Sequence, residues 1–388
     1  MAIPLSYSAR NLFTRRMTTL LTAGGMSLVV FTLAASLMLA EGLRRTLVQT
    51  GAPDNIVAVR KGADAEGRSN VDRDQTVIME NSPQISLDGD GKSLAAGELV
   101  VSMGLPKRGS GAAANATFRG IAPASLVLRP QVRIIAGRAP RPGTSEIMAG
   151  KSVVSEFAGV DLGGTLRFAK REWTVTGVFD AGDTAYSSEI WGNREQLMSA
   201  FGRGGYNIFV ARLRDPGEFE ALKTSLENDP RLNVDVWREP AFYERQSRMM
   251  SEFFTVLGLS MTLVFSLAAV IGAMITMYSA VAGRVAEIGT LRALGFTRLG
   301  ILTAFLAEAA FLGVLSGVMG LTLASGLCAV AFSTANMQTF SQLAFGFVIT
   351  PKIVLFCMLF ALGMGVIGGL LPAIRAARMN IVEALRGA

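Results

Sequence analysis

FFTVLGLSMTLVFSLAAVIGAMITMYSAVA, residues 253 to 282, runs for thirty positions without a charged side chain. At ~1.5 Å rise per residue, a helix of that length is longer than a bilayer's ~30 Å hydrocarbon core. Three further apolar runs lie on either side of it, Thr18 to Ala40, Ile301 to Phe332 and Ile353 to Leu371. Nearly everything polar falls between the first and second runs. The reading is a membrane protein with four transmembrane α-helices and one large water-facing domain inserted after the first.

Charge placement sets the orientation. Arg10, Arg15 and Arg16 precede the first run, Arg284, Arg292 and Arg298 lie between the second and third, and Arg375, Arg378 and Arg386 follow the fourth. The connection 333–352 carries only Lys352. The positive-inside rule then places both termini and the 283–300 segment in the cytoplasm, and the large domain outside. Residues 41–252 hold basic and acidic side chains in equal number, so the formal charge of +7 comes from the membrane flanks. The basic pI reports topology and not nucleic-acid binding.

The expected order is a cytoplasmic interfacial helix (1–17), the first span (18–40), the extracytoplasmic domain with its stalk (41–252) and the second span (253–282). A cytoplasmic helix (283–300), the third span (301–332), a short extracytoplasmic loop (333–352), the fourth span (353–371) and a cytoplasmic tail (372–388) follow. The first run exceeds the ~7–15 residues of a signal-peptide core, so it is read as a retained helix. Within the domain, 55–60, 145–149, 165–168, 173–179, 207–213 and 232–237 read as strands, and 216–228 and 152–158 as helices. Segments 61–74 and 109–115 read as exposed loops. The whole is α+β in two lobes, with about 120–194 inserted into the other lobe.

The chain has no histidine, which removes Ser-His-Asp and Cys-His triads and the commonest zinc ligand. Cys328 and Cys357 both sit in apolar runs and read as small buried hydrophobes. Gly91-Lys92-Ser93 ends like a phosphate-binding loop, but Ser86 stands where its first glycine belongs. The acidic turn Asp88 to Asp90 is followed by Lys92 where a calcium loop needs Asp or Asn. No metal site, cofactor or catalytic group is expected, and the chain is not read as an enzyme.

The cytoplasmic segment Gly283 to Arg298 reads as a short amphipathic helix. Ile288, Leu291 and Gly295 share a face, Arg284 and Glu287 pair at i, i+3, Gly295 can close the helix in a left-handed cap, and Thr297 can cap the next. Such a helix can dock in a groove on a soluble partner.

Glu287-Ile288-Gly289 with Arg292-Ala293-Leu294-Gly295, followed by Glu308 in the third span, resembles the signature of MacB/FtsX-type (type VII, mechanotransmission) ABC transporter permeases. Asn11-Leu12, Arg15-Arg16 and Leu20-Leu21-Thr22 near the N-terminus agree with it. So do Pro372-Ala373, Arg375 to Arg378 and Glu383 to Arg386 in the tail. The ectodomain is more similar to the MacB type than to the shorter domain of the cell-division members.

The resemblance implies a separate cytoplasmic ATPase subunit that binds the ATP. It would dock on Arg284, Glu287, Ile288, Leu291, Arg292 and Gly295. A second permease copy or paralogue, in a dimer at the bacterial inner membrane, is implied too, with a periplasmic adaptor or outer-membrane protein as a further partner. The stalk would be 41–49 and 242–252, with Leu43, Leu47, Phe242 and Met249 as its seam.

The small-residue pairs Gly313/Gly317 and Gly365/Gly369 mark close helix packing, within one subunit or between two. Glu308, an acid in an apolar run, is read as an interfacial or inter-helix structural residue in preference to a proton carrier. Two functions remain open. One is efflux or lipoprotein export, the extraction of a hydrophobic or amphipathic cargo (lipoprotein, peptide or drug); the other is transmembrane signalling to a periplasmic partner such as a cell-wall hydrolase.

Overall fold

The computed structural model describes residues 16–329, 331–335 and 342–380. In chain order, α1 (Arg16–Thr50), β1 (Asn55–Arg60), α2 (Arg73–Glu80), β2 (Ala95–Pro106), β3 (Ala113–Ile121), α3 (Pro123–Leu128), β4 (Arg133–Gly137) and β5 (Glu146–Gly150) come first. Then follow α4 (Lys151–Glu156), β6 (Thr165–Phe168), β7 (Arg171–Asp180), β8 (Glu189–Asn193), α5 (Arg194–Phe201), β9 (Ile208–Arg212), α6 (Phe219–Glu227) and β10 (Val234–Arg238). The last are α7 (Glu239–Ala282), α8 (Val285–Ala293), α9 (Arg298–Ser325), β11 (Ala331–Ala335), β12 (Gln342–Gly346) and α10 (Pro351–Arg378). The interfacial helix expected over 1–17 and the tail motif at Glu383 to Arg386 lie outside the described residues, apart from the first turn of α1.

The chain separates into two compact units, a helical one from 1–41, 252–330 and 347–388, and a mixed one from 42–251 with 331–346. Among the described residues four helices are long and apolar enough to cross a membrane. In the helical unit α1 gives Met26, Val30 and Leu33 to a core shared with Ala273, Leu321 and Ala361. Pro372 costs one ladder bond without ending α10, which continues to Arg378, beyond the boundary expected at Leu371. Along α7, Val256, Leu263, Val264 and Ile275 are exposed, as suits a helix solvated by lipid.

Glycines lock α9 to α10 inside this one chain, though the four expected to do so are not equivalent. A Cβ on Gly313 would fall 2.5 Å from the Ala361 carbonyl oxygen, one on Gly365 would fall 2.5 Å from that of Ala309, and one on Gly369 would fall 2.2 Å from Ala309 Cβ. Gly317 also faces α10. It is buried, but a Cβ there would meet first the Met358 side chain, Sδ at 2.8 Å and Cε at 3.4 Å, with Ala361 Cβ at 3.1 Å. A thioether has three rotatable bonds and can swing aside, whereas a helix backbone cannot. The tightest approach of the two backbones is therefore at Gly313, Gly365 and Gly369, whereas Gly317 first meets a methionine, with Ala361 Cβ next.

The mixed unit is built on a ten-stranded sheet in the order β10-β1-β9-β2-β3-β8-β5-β7-β4, with β6 paired to β7. Its joint is β2. Residues Ala95 to Glu98 pair with β9, and Leu99 to Pro106 pair with β3, so one strand passes from one half of the sheet to the other. Each half has its own core, Ile56, Phe209, Leu222 and Val236 on one side and Phe118, Phe157, Trp173 and Ile190 on the other.

The sheet corrects three more expectations. The inserted half takes in Leu99 onward and β3, so it starts before 120. Segment 61–74 is no exposed loop, since Ala65, Glu66, Ser69 and Val71 are buried. The connection 333–352 contains the β11–β12 hairpin, paired from Ala331↔Gly346 to Ala335↔Gln342, and clusters with the mixed unit. Helices α1 and α7 extend past the apolar runs into this unit. There Leu43, Leu47 and Phe242 are buried, while the side chain of Met249 lies outside the description.

Candidate functional site

Helix α8 is a nine-residue element between two long ones, and local chemistry sets both its ends. Gly295 takes φ +94°, the left-handed conformation that glycine adopts without a Cβ penalty. The Phe296 N–H then donates to the Leu291 carbonyl (3.2 Å) and the Gly295 N–H to that of Arg292 (3.2 Å), satisfying carbonyls a helix end leaves open. Two residues on, Thr297 Oγ1 accepts from the Gly300 N–H at 3.1 Å and caps α9.

The face turned into the helical unit is held by apolar packing and by charge. Ile288 is 2% exposed and packs with Met277, Val281, Ile301, Phe305 and Ala376. Arg284 donates from Nε and Nη2 to Glu287 (2.9 and 3.2 Å) and from Nη1 to Glu308 Oε2 (3.2 Å). Its guanidinium lies 5.2 Å from the centre of the Phe305 ring. Arg284 and Glu308 side chains are only 12% and 8% exposed, so each neutralises a charge that would be costly alone. Arg292 Nη1 donates to the Ala377 carbonyl in the last turn of α10 (3.2 Å). Glu308 is thus an inter-helix anchor.

Of the residues read from sequence as a docking surface, Ile288, Arg284 and Arg292 are therefore spent inside the chain. Leu291 is half-buried, Glu287 is partly exposed and Gly295 is exposed. The outward face is a different set, Ala286, Thr290, Ala293 and Leu294, spaced i, i+4, i+7 and i+8 and exposed along its length. Leu294 and Leu299, each 70% exposed, are the large apolar side chains beside it. The signal was present in the sequence. On a helix that follows a membrane span, the strongest apolar stripe is the one that faces its own core. Among the described cysteines, Cys357 is buried but Cys328 is exposed, against expectation; both are free thiols.

Residues 259–381 match the family model for the FtsX-like permease C-terminal region. Residues 19–229 match that for the MacB-like periplasmic core domain. An uncharacterized ABC transporter permease of Methanocaldococcus jannaschii is 26% identical over 236 residues, 59% of this chain and 58% of the relative. A macrolide export ATP-binding/permease protein MacB of Neisseria meningitidis is 27% identical over 243 residues, 59% of this chain and 36% of that one. The matched regions thus span less than two thirds of these relatives. The extracellular domain of the transporter YknZ from Gram-positive bacteria superposes with a TM-score of 0.37 at 15% identity, over 47% of this chain and 99% of that domain. With four spanning helices, a mixed α/β extracytoplasmic domain and both family models matched, this chain belongs to the MacB/FtsX-type ABC transporter permeases.

Proposed function

We propose that the chain couples a separate cytoplasmic ATPase to its extracytoplasmic domain, and that the ATPase seats on the outward face of α8. The observation that carries this reading is the construction of α8. It is bolted to α9 and α10 through Arg284 and Arg292, yet it leaves Ala286, Thr290, Ala293 and Leu294 uncovered. A push on that face would move the long helices, since the ion pairs and Ile288 leave α8 no independent freedom. ATP would be bound by the partner, with no cofactor on this chain. The working unit would hold two permeases, as a homodimer or with a paralogue, in the bacterial inner membrane with both termini cytoplasmic. The charge flanks support that orientation, as does the hairpin between α9 and α10 clustering with the domain inserted after α1.

The cargo class is hydrophobic or amphipathic, a lipoprotein, peptide or drug taken from the outer leaflet or the periplasm and handed to an adaptor or outer-membrane partner. Apart from Glu308, which Arg284 neutralises, the described residues of the helical unit offer no charged path through its apolar core. This favours lateral extraction over passage through an intramembrane channel.

The test is co-purification of the full chain from its host in mild detergent, with ATP hydrolysis measured. Leu294→Asp is expected to lose the ATPase while the chain stays folded, and Leu299→Asp to weaken it. Ile288→Asp would disrupt packing and says nothing about docking. Retention of ATPase at wild-type stoichiometry in Leu294→Asp would falsify the assignment of this face. A stoichiometric cell-wall hydrolase in place of an export partner would turn the reading towards signalling.

A further inference from the structure

The joint of the ten-stranded sheet holds a cluster of buried charges remote in sequence from α8. Glu98, the last residue of β2 to pair with β9, is fully buried, and two arginines close on it. Arg129 donates to it from both terminal nitrogens, with Nη2 to Oε2 at 2.8 Å, and Arg119 Nη1 donates to Oε2 at 3.1 Å. Arg119 also reaches Glu189 from Nε (2.7 Å) and Nη2 (2.9 Å), and Glu66 from Nη2 (2.8 Å). Glu239, the first residue of α7, lies 3.8 Å from Arg129 Nη2. Its carboxyl otherwise meets only neutral donors, the Ala52 N–H (2.9 Å), Asn55 Nδ2 (3.0 Å) and the Tyr186 hydroxyl (3.2 Å). Tyr243, one turn along α7, donates to Glu66 (2.8 Å) and meets the Tyr186 hydroxyl at 3.1 Å. The cluster thus ties both halves of the sheet to the first turns of α7.

Its charges do not balance. Four carboxyl groups, Glu66, Glu98, Glu189 and Glu239, face two guanidinium groups, and none of the six side chains is more than 8% exposed. Full ionisation would strand two negative charges in a dry interior, at a cost of several kcal/mol each. A cation is no remedy, because among the described residues no three acidic side chains converge as metal ligands do. Protons are the remaining counter-charge. Glu98, gripped by both arginines, is the ionised member. Glu239, with the most distant cation contact, is where one proton belongs. Glu189, which shares the single guanidinium of Arg119 with Glu66 and Glu98, is where the other belongs.

We propose that this cluster is a proton-loaded latch at the joint of the extracytoplasmic domain, holding one proton on Glu239 and one on Glu189 at neutral pH and loosening the seat of α7 when they are released. Burial raises the carboxyls of Glu239 and Glu189 above the ordinary range, while Arg129 and Arg119 outweigh burial and lower that of Glu98. The phenols of Tyr186 and Tyr243 are pushed well up by burial and stay neutral. Groups with raised values stabilise the domain below their ordinary value and stop doing so as pH climbs through the folded one. The stabilisation the latch gives therefore falls as pH rises from the ordinary carboxylate value to the folded one. It depends on neither the ATPase nor the cargo.

The experiment uses the full chain in detergent. Infrared spectra at pH 7 are expected to show the C=O stretch of protonated carboxylic acids, reduced by half in Glu239→Gln. Absence of that band in the wild-type chain would overturn the proposal without requiring any variant to fold. Urea unfolding read by tryptophan fluorescence reports the domain alone, since all three tryptophans, Trp173, Trp191 and Trp237, lie in it. From the ordinary carboxylate value up to the pH at which the folded domain gives up its protons, the unfolding constant should rise by up to ~100-fold per pH unit, and by ~10-fold in Glu239→Gln. Equal slopes in the two proteins would also overturn it.

Discussion

Glu308 can sit inside an apolar helix because Arg284, twenty-four positions earlier, supplies its counter-charge. Removing one partner of a buried pair leaves a stranded charge, a loss of ~3–5 kcal/mol, whereas removing both costs far less. Arg284→Ala should therefore lower the thermal stability of the helical unit clearly, and Arg284→Ala with Glu308→Ala should restore most of it. A scanning-calorimetry series in detergent distinguishes this from a charge that matters only to the ATPase, for which the double variant would show no recovery. The glycines of α9 and α10 belong to the same scale. Gly369→Leu must push against Ala309 and should destabilise the monomer, whereas Leu at Gly24, where an added Cβ meets no described atom within 4 Å, should not. Gly317→Ala should cost less than Gly313→Ala in the same series, because Met358 can yield and the Ala361 carbonyl cannot.

Among elements, those with strong local signals were legible and those made by their neighbours were not. The alternating, β-branched segment 55–60 reads as a strand and is one, and Phe219, Leu222 and Leu226 mark the buried face of α6. In contrast β2, AAGELVVSMGLP, has five alanine, glycine or serine residues among its twelve and carries a buried acid, and β3, AANATFRGI, carries a buried arginine. Nothing local marks them as strands, because they are stabilised by pairing on both sides and by the ion cluster between them. Helix α5 was missed also, although Asn193 Oδ1 accepts from the Glu195 and Gln196 N–H groups (3.1 and 3.2 Å), a cap the sequence displays. Asn193→Ala should cost ~1 kcal/mol of domain stability, measured by urea unfolding.

Across the whole molecule, the extracytoplasmic domain should lose stability on each side of the ordinary carboxylate value of 4.5. Arg138 grips Glu146 with two 2.6 Å bonds and holds its carboxyl down at about 2. A lowered acid stabilises above the ordinary value of 4.5 and ceases to do so as pH falls towards about 2. Domain stability should thus decline as pH drops below 4.5, and Arg138→Ala should make that acid limb shallower while leaving the limb above 4.5 unchanged. Unfolding curves from pH 3 to 9 on both proteins check the separation.

The sequence by itself determined the four spans, the inserted domain and the family, because transfer into a bilayer sums over neighbouring residues and the family's motifs are contiguous. The tertiary structure decided which face of α8 is bolted inward, that the tightest backbone approach within one subunit is at Gly313, Gly365 and Gly369, and that four glutamates and two arginines meet at the joint of the sheet. Those facts depend on contacts that include pairs twenty-one to seventy positions apart. Only the folded backbone sets such distances, and with them whether a charge is buried or paired.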